Sequence, residues 1–259
     1  MLFLNRRGYA GFVSCRACGH VMKCPHCDVS LSEHNGNRLI CHYCGYETVK
    51  PEICPSCGSP HIGGFKAGTQ QIEKVIEKEF PKARVLRMDF DTTRTKDSYE
   101  KILASFAKHE ADILVGTQMI VKGHDFPNVT LVGVLAADMS LYSDDYRSGE
   151  RTFQLLTQAA GRAGRGRRPG EVVIQTYSPE HYSIQMAARQ DYEGFYEKEM
   201  NYRDLMGYPP ASQLMAVLMT GADEVRLVTA AEYLKKYAVR VNTGEEIQVI
   251  GPALSLIHI

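Results

Sequence analysis

Short apolar runs alternate along the chain with segments of helical periodicity. Five runs have the length and composition of buried strands: 1–4, 84–88, 112–116, 129–136 and 171–177. Three segments between them have the three- and four-residue apolar spacing of amphipathic helices: 69–80, 97–106 and 148–163. Asp97 and Glu100 are expected to open the second helix as a capping box. This alternation predicts an α/β domain with a parallel sheet and helices on both faces.

The pattern changes after Ser178-Pro179, where a smaller α+β domain is predicted. Four elements are expected there: a polar, aromatic helix over about 181–205, a strand at 213–219, a helix at 223–239 and a strand at 247–250. The first strand of the α/β domain, at 1–4, precedes a cysteine-rich segment. We therefore interpret that segment as an insertion into the α/β domain.

The eight cysteines of the chain form four Cys-x-x-Cys pairs: Cys15/Cys18, Cys24/Cys27, Cys41/Cys44 and Cys54/Cys57. Two intervening residues let both thiolates of a pair reach one metal ion, so four pairs can hold two tetrahedral zinc ions. A disulfide framework would require an oxidising compartment, and no signal peptide begins the chain. Redox-active pairs usually occur singly, and iron–sulfur clusters prefer other spacings. Two structural zinc ions are therefore predicted.

A hairpin signal between the second and third pairs predicts which cysteines share a zinc ion. Val29 and Leu31 alternate with polar residues, Asn35-Gly36 is a type I′ turn signal, and Leu39-Ile40 begins the return strand. The hairpin would bring the second and third pairs together and leave the first and fourth to close around them. The predicted sites are an inner one (Cys24, Cys27, Cys41, Cys44) and an outer one (Cys15, Cys18, Cys54, Cys57). Four thiolates leave no open position on zinc, so both sites are predicted to be structural.

Charge and hydropathy restrict the binding partners and the location of the protein. The 30 Lys and Arg residues balance the 30 Asp and Glu residues, so any site for a polyanion must be local. The apolar runs are too short to span a bilayer. Reduced cysteines without a targeting segment predict a cytoplasmic location and no membrane partner.

The loop at 116–126 directly follows a predicted strand, and ligands bind at the carboxyl ends of parallel strands. Gly116 and Gly123 would allow close backbone approach, and Thr117 and Lys122 could contact phosphate. Taken alone, a Gly-Thr after a strand is in most cases an ordinary turn.

The segment 158–166 reads Gln-Ala-Ala-Gly-Arg-Ala-Gly-Arg-Gly and places Arg162 and Arg165 on one side of a helix end. Paired planar guanidinium groups suit a phosphoryl group whose charge spreads during transfer. The flanking glycines remove side chains that would block a partner. The simpler interpretation is a solvated basic helix end, extended by Arg167 and Arg168. Gln158 one turn earlier and the upstream loop favour the phosphoryl site.

At these residues the chain resembles superfamily 2 helicases. The segment 158–165 is similar to their motif VI, and 116–125 is similar to their motif V. The four cysteine pairs, together with 3–9, 88–93 and 208–210, narrow the resemblance to the family of primosomal protein N′ (PriA), the replication-restart helicases, over residues 1 to about 253.

The resemblance implies a fold and its division. The fold class is α/β: a second RecA-like helicase lobe with an inserted zinc-ribbon module and a smaller α+β C-terminal domain. The expected boundaries are the start of the lobe at 1–13, the zinc-binding insertion at 14–60, the rest of the lobe at 61–178, and a truncated C-terminal domain at 179–259.

The resemblance also implies a function, that of an ATP-driven 3′-to-5′ DNA helicase which restarts stalled forks and helps assemble the primosome. Arg162 and Arg165 would be arginine fingers, and Gln158 would belong to the nucleotide-sensing network. Gly123 and Asp125 would lie at the nucleotide, and Thr117 and Lys122 at the DNA. The implied partners are DNA forks, single-stranded DNA, primosome proteins and single-stranded DNA-binding protein. The implied cofactors are two zinc ions, and ATP with Mg²⁺.

The sequence departs from a whole helicase in two respects. It has no Gly-x-x-x-x-Gly-Lys-Ser/Thr phosphate loop and no Asp-Glu-x-His box, so we expect a C-terminal fragment that is inactive alone. The abrupt apolar end at 254–259 is either an adaptor or truncation scar or a genuine terminal strand. The alternative function is a stand-alone zinc-ribbon module that docks DNA or a protein without ATP.

Overall fold

The computed structural model describes residues 1–5, 12–34, 37–63, 68–95, 97–121, 126–143, 145–242, 244 and 247–252. The strands within these ranges are β1 (Leu2–Leu4), β2 (Ser14–Cys15), β3 (Ser32–His34), β4 (Arg38–Ile40), β5 (Glu47–Val49), β6 (Ile62–Gly63), β7 (Val85–Met88), β8 (Ile113–Gly116), β9 (Leu131–Leu135) and β10 (Glu171–Ile174). The helices are α1 (Thr69–Glu79), α2 (Ser98–Ala107), α3 (Asp138–Leu141), α4 (Ser148–Ala160), α5 (Tyr182–Arg189), α6 (Tyr192–Met206) and α7 (Glu224–Val241), with a 3₁₀ turn at Gln118–Val121.

The chain divides into two compact units. The first comprises Met1–Ala10 and Gly64–Glu199, and the second comprises Gly11–Gly63 and Met200–Ile259. The cysteine-rich segment thus belongs to a different unit from the strands that flank it in sequence. The domain boundaries expected from the sequence stay a prediction.

The first unit contains a five-stranded parallel sheet in the order β10-β9-β1-β8-β7. The central strand is β1, where Leu2 lies opposite Val115 on one side and Gly133 on the other. Its strands are apolar and largely buried because helices cover such sheets, and Leu114 and Val132 are fully buried. The predicted parallel α/β architecture is confirmed.

Two helix predictions need correction. Asp97 does not form a capping box, because it adopts a left-handed conformation (φ 74°) and its side chain accepts no capping bond. The single helix expected over 181–205 is two helices, α5 and α6. Gln190 interrupts them with φ 54°, and the Asp191 carboxylate accepts the backbone N–H of Gly194 at 2.9 Å. Local side-chain hydrogen bonds of this kind end one helix and start another.

The cysteine-rich part of the second unit is built on small antiparallel sheets. Strands β3, β4 and β5 pair in that order, with Ser32 opposite Ile40 and His34 opposite Arg38. The predicted hairpin is therefore present, although its turn residues, 35–36, lie outside the described residues. Its apolar side packs with neighbouring cysteines into one buried cluster: Val13, Cys24, Val29, Leu31, Leu39 and Cys41.

The strands expected at 213–219 and 247–250 are wrong: these residues carry no strand hydrogen bonds in the described ranges. Met215 is 90% exposed and Leu218 80% exposed. Alternating apolar residues show that a segment has a face to cover, but a strand exists only when a partner strand supplies its ladder. The expected helix is confirmed as α7, and the Asp223 carboxylate accepts the N–H of Arg226 at 3.0 Å as its N-cap.

Within the described ranges, no helix combines the length and the apolar character that crossing a membrane requires.

Candidate zinc centres and the arginine helix end

The structure brings the cysteines together in two groups of four. Cys15, Cys18, Cys54 and Cys57 form one group, and Cys24, Cys27, Cys41 and Cys44 form the other, with all Sγ atoms of a group within 4.8 Å of one another. These are the outer and inner sets expected from the hairpin. The Sγ atoms lie 3.6 Å apart for Cys15 and Cys57 and 3.7 Å apart for Cys18 and Cys54.

These distances fit zinc and exclude disulfides. A tetrahedral ion with zinc–sulfur bonds of about 2.3 Å holds its sulfur atoms about 3.8 Å apart. A disulfide requires a sulfur–sulfur distance of about 2.05 Å. The inner pair Cys24 and Cys44 has the same spacing, 3.6 Å. The donor set of each group therefore matches a closed structural zinc site.

The four cysteine pairs share one local backbone geometry. After the second cysteine of each pair, the next residue donates its N–H to the carbonyl oxygen of the first cysteine and has a positive φ: Gly19 (77°), Asp28 (51°), Gly45 (77°) and Gly58 (72°). This tight turn directs backbone N–H groups at sulfur, and the N–H of Ala17 lies 3.4 Å from the Cys15 Sγ. Glycine is favoured at three of the four positions because it adopts the left-handed conformation without strain.

The electrostatics of the thiols indicate what a bound cation would change. The backbone N–H of Cys18 is the main cause of a pKa of about 6 for the Cys15 thiol. Burial instead raises the pKa of Cys41 to about 11 and also raises that of Cys27. The buried inner thiols therefore do not ionise together at neutral pH by themselves. A bound zinc ion would displace their protons and stabilise four thiolates.

Gly58 allows the cost of the turn geometry to be measured. A Cβ added there would meet nothing within 4 Å, so only the positive φ opposes a side chain. We expect Gly58→Ala to weaken zinc binding at the outer site by about 1–2 kcal/mol, the cost of a left-handed alanine. Gly58→Asn, which tolerates this conformation, is the matched control. Competition with a chromophoric chelator measures both, and equal affinities for the Ala variant and the unsubstituted chain would contradict the prediction.

Tyr208 is a residue of the zinc-bearing unit whose role the sequence did not indicate. It is 5% exposed, and its hydroxyl donates to the Cys27 carbonyl oxygen at 2.8 Å. Its ring meets that of Tyr43 edge to face, with centroids 6.3 Å apart. Arg203 donates to the carbonyl oxygen of Pro209 at 2.7 Å and braces the same turn. The Tyr-Pro-Pro segment therefore packs directly on the inner cysteine group.

The arginine segment lies just after α4 and is fastened to the loop that follows β8. The Nε of Arg162 donates to the carbonyl oxygen of Val121 at 2.9 Å. The Nε of Arg165 donates to the carbonyl oxygen of Gly161, on its own helix end, at 2.6 Å. Thr117 begins the loop after β8, and Gln158 is exposed on the last turn of α4. The two segments singled out in the sequence are thus neighbours at one edge of the sheet.

Lys122, Gly123 and Asp125 belong to the same predicted site but lie outside the described residues.

The glycines of these two segments are packed against the chain itself. A Cβ on Gly166 would collide with the carbonyl oxygen of Pro127, and one on Gly116 would collide with that of Met88. Close approach at both positions is made by neighbouring backbone of the same unit. The glycines therefore fix where the arginine segment and the β8 loop lie. The sequence had indicated a different role for them, namely to leave room for a partner molecule.

Comparison with known proteins gives two family matches. The helicase conserved C-terminal domain matches residues 63–167, which include β7, β8 and the arginine segment. The Cys-rich region of PriA DNA helicase matches residues 24–48, which contain the inner cysteine group. With the parallel sheet and both cysteine groups, these matches define a RecA-like helicase lobe that bears a zinc ribbon.

Relatives narrow this class to one family. Replication restart protein PriA of Bacillus subtilis (strain 168) is 52% identical over 256 residues, covering 98% of this chain and 32% of the relative. That of Synechocystis sp. is 45% identical over 258 residues, covering 98% and 31%, and that of Chlamydia pneumoniae is 46% identical over 224 residues, covering 85% and 30%. The chain belongs to the PriA family of replication restart proteins. It spans about a third of the length of these relatives.

Proposed function

We propose that this chain supplies the second motor lobe and the zinc module of an ATP-dependent DNA helicase that restarts stalled replication forks. The observation that carries the proposal is the arginine segment, which is anchored to the loop after β8 through Arg162 and Val121. Such an anchored basic edge on a parallel sheet suits a phosphate held between two lobes.

Arg162 and Arg165 are the proposed arginine fingers. In both residues the Nε donates a hydrogen bond to a backbone carbonyl oxygen. This bond orients the planar guanidinium group at a defined edge of the lobe. Charge that spreads over a γ-phosphoryl group during transfer is stabilised by such groups, and neither proton transfer nor covalent chemistry is asked of them. Gln158, one turn earlier on α4, is the proposed sensor of the nucleotide. Gly123 and Asp125 are proposed to complete the nucleotide side.

Thr117 and Lys122 are the proposed DNA contacts of the same loop. The Ile120 N–H donates to the Thr117 carbonyl oxygen at 3.1 Å, which closes the 3₁₀ turn that follows β8. The turn continues directly to Val121, the acceptor for Arg162. A displacement of the arginine segment when ATP binds or leaves would therefore move the DNA-contacting loop. This linkage is our proposal for how ATP turnover drives translocation in the 3′-to-5′ direction.

The two zinc ions are proposed to have a structural role only. Each would be held by four thiolates, which leaves no position for water or substrate. The module they stabilise is proposed to present a surface to forked DNA, primosome proteins and single-stranded DNA-binding protein. We further propose that the motor uses ATP with Mg²⁺ and that the protein is cytoplasmic. The proposed domain boundaries fall at 13/14, 60/61 and 178/179.

A stand-alone zinc-ribbon module is the less favoured function. It would account for the cysteine groups but not for the buried parallel sheet or for the arginine segment anchored at its edge. The helicase C-terminal domain match over 63–167 lies almost wholly outside the cysteine region, which also favours the motor.

We expect this chain to bind its ligands without hydrolysing ATP. The purified 259-residue chain is expected to bind two zinc ions and single-stranded DNA but to show no ATP hydrolysis, because its sequence has no phosphate loop and no Asp-Glu box. Phosphate release in the presence and absence of DNA measures this. DNA-stimulated hydrolysis by the chain alone would contradict the proposed division of the ATP site between two lobes.

A further inference from the structure

Phe90 lies two residues beyond the end of β7 and is 75% exposed on a loop that is held in place. The neighbouring Asp89 is 6% exposed and anchors the loop. Its carboxylate accepts hydrogen bonds from the Thr69 hydroxyl at 2.5 Å, from the Thr92 N–H at 2.9 Å and from the Arg87 guanidinium at 2.9 Å. The exposed ring is therefore attached to a backbone whose position is fixed by a buried hydrogen-bond network.

A basic side chain accompanies the ring. The guanidinium carbon of Arg94 lies 5.5 Å from the Phe90 ring centroid, a cation–π geometry. Arg94 also pairs with Asp91, within the same loop, at 2.7 Å. An aromatic ring with a cation beside it offers a π-face for a base and a positive charge for the adjoining phosphate.

The location relates this pair to the proposed DNA loop. The Thr117 N–H donates to the carbonyl oxygen of Met88, immediately before Asp89, at 3.4 Å. The Thr93 hydroxyl lies 3.8 Å from the Met119 Sδ, in the 3₁₀ turn after β8. The loops after β7 and β8 therefore pack together at the same carboxyl edge of the sheet. A strand of DNA that contacts Thr117 would pass within reach of Phe90.

We propose that Phe90, supported by Arg94, is a stacking site for one base of single-stranded DNA. The inference deepens the proposed function and rests on its DNA-binding part. A single exposed apolar residue is ordinary on protein surfaces. This one differs because its loop is braced by a buried carboxylate, because a guanidinium lies beside the ring, and because the adjoining loop carries the proposed phosphate contacts.

A second exposed phenylalanine serves as the control, and an introduced tryptophan serves as the probe. Phe80 is 58% exposed and caps the carboxyl end of α1, before β7 begins, so it lies at the opposite edge of the same sheet. The sequence contains no tryptophan, so Phe90→Trp and Phe80→Trp each introduce a single tryptophan, whose fluorescence can be excited selectively over that of the 14 tyrosines. We would use the zinc-loaded chain with a labelled oligothymidine and with an abasic oligonucleotide of the same length.

Phe90→Ala is expected to bind oligothymidine about tenfold more weakly, whereas Phe80→Ala binds like the unsubstituted chain. Oligothymidine should quench the fluorescence of Phe90→Trp, and neither the abasic strand nor the Phe80→Trp variant should show this quenching. Circular dichroism and zinc content confirm that each variant is folded.

The outcomes separate this inference from the proposed function. If the unsubstituted chain binds oligothymidine and Phe90→Ala binds equally well, the stacking site is overturned and the proposed function stands. Weaker binding without quenching in Phe90→Trp, or equal quenching by the abasic strand, would also overturn base stacking. If the unsubstituted chain binds no single-stranded DNA even at low salt, the DNA-binding part of the proposed function fails, and this inference fails with it.

Discussion

Replacing Cys24 with serine is expected to reduce bound zinc from two ions to one per chain and to unfold the β3–β4 hairpin. Cys24 is 2% exposed, and its Sγ lies 3.6 Å from that of Cys44. It also belongs to the buried cluster that contains Leu31 and Leu39. Structural zinc contributes about 10–16 kcal/mol of apparent binding energy in zinc-finger peptides, so losing one inner thiolate should cost more than the small hairpin can supply. Zinc content and amide exchange of β3 and β4 measure the effect.

The outer site supplies the matched comparison. Cys57 is exposed, so Cys57→Ser is expected to remove the other zinc ion while the amides of β3 and β4 stay protected. Double variants test which cysteine pairs share a zinc ion. Replacing Cys24 and Cys41 together should leave one zinc ion, because both belong to the inner group, whereas replacing Cys24 and Cys54 should leave none. Loss of both zinc ions in the Cys24 and Cys41 double variant would show that the pairs are combined differently.

The parallel sheet could be predicted because its strands are almost continuously apolar, which is typical of strands buried on both faces. Their order could not be predicted from periodicity. Leu2 pairs with Val115 and Gly133, more than a hundred residues away, and no local pattern encodes that choice. The cysteine grouping was predictable for the opposite reason. The pairing of β3 with β4 is local, and once the inner pairs meet, only one arrangement of the outer pairs remains.

The prediction failed where a local pattern depends on a partner or on one backbone angle. Segments 213–219 and 247–250 alternate like strands but have no ladder in the described residues. Asp97 has the residue type of an N-cap but a left-handed φ of 74°, which turns its side chain away from that role. Gln190 lies in the middle of the predicted helix, yet it adopts φ 54° and separates α5 from α6. Each outcome depends on neighbours that the sequence pattern does not specify.

The candidate sites show the same division. Arg162 and Arg165 could be proposed as candidates because two arginines among glycines at a helix end are chemically distinctive. The bond from Arg162 to Val121 joins residues 41 positions apart, so it could be found only in the fold. The sequence pattern also did not single out Phe90 or Tyr208. One is notable for its exposure beside a buried carboxylate, and the other for its contact with the Cys27 carbonyl, and neither property is visible in a linear pattern.

In the whole protein, Arg165→Ala is expected to lower ATP turnover by about 10³-fold or more, the range that arginine fingers supply in phosphoryl transfer. Arg165 is a cleaner test than Arg162. Its Nε bonds to Gly161 within the same helix end, whereas the Arg162 bond to Val121 also holds the β8 loop. Arg165→Lys should not restore turnover, because a point charge cannot replace a planar fork. Steady-state phosphate release at saturating DNA measures each variant.

Arg168→Ala is the control that distinguishes a catalytic arginine from a basic helix end. Arg168 is exposed in the same segment and carries the same charge, three residues beyond Arg165. If the segment attracts polyanions only through net charge, both alanine variants should weaken DNA binding equally and leave turnover within a few-fold of the unsubstituted protein. If Arg165 stabilises the transferred phosphoryl group, its variant loses turnover while DNA affinity is retained, and Arg168→Ala loses neither. A small and equal effect of the two substitutions would therefore contradict the arginine-finger role and favour a solvated basic helix end.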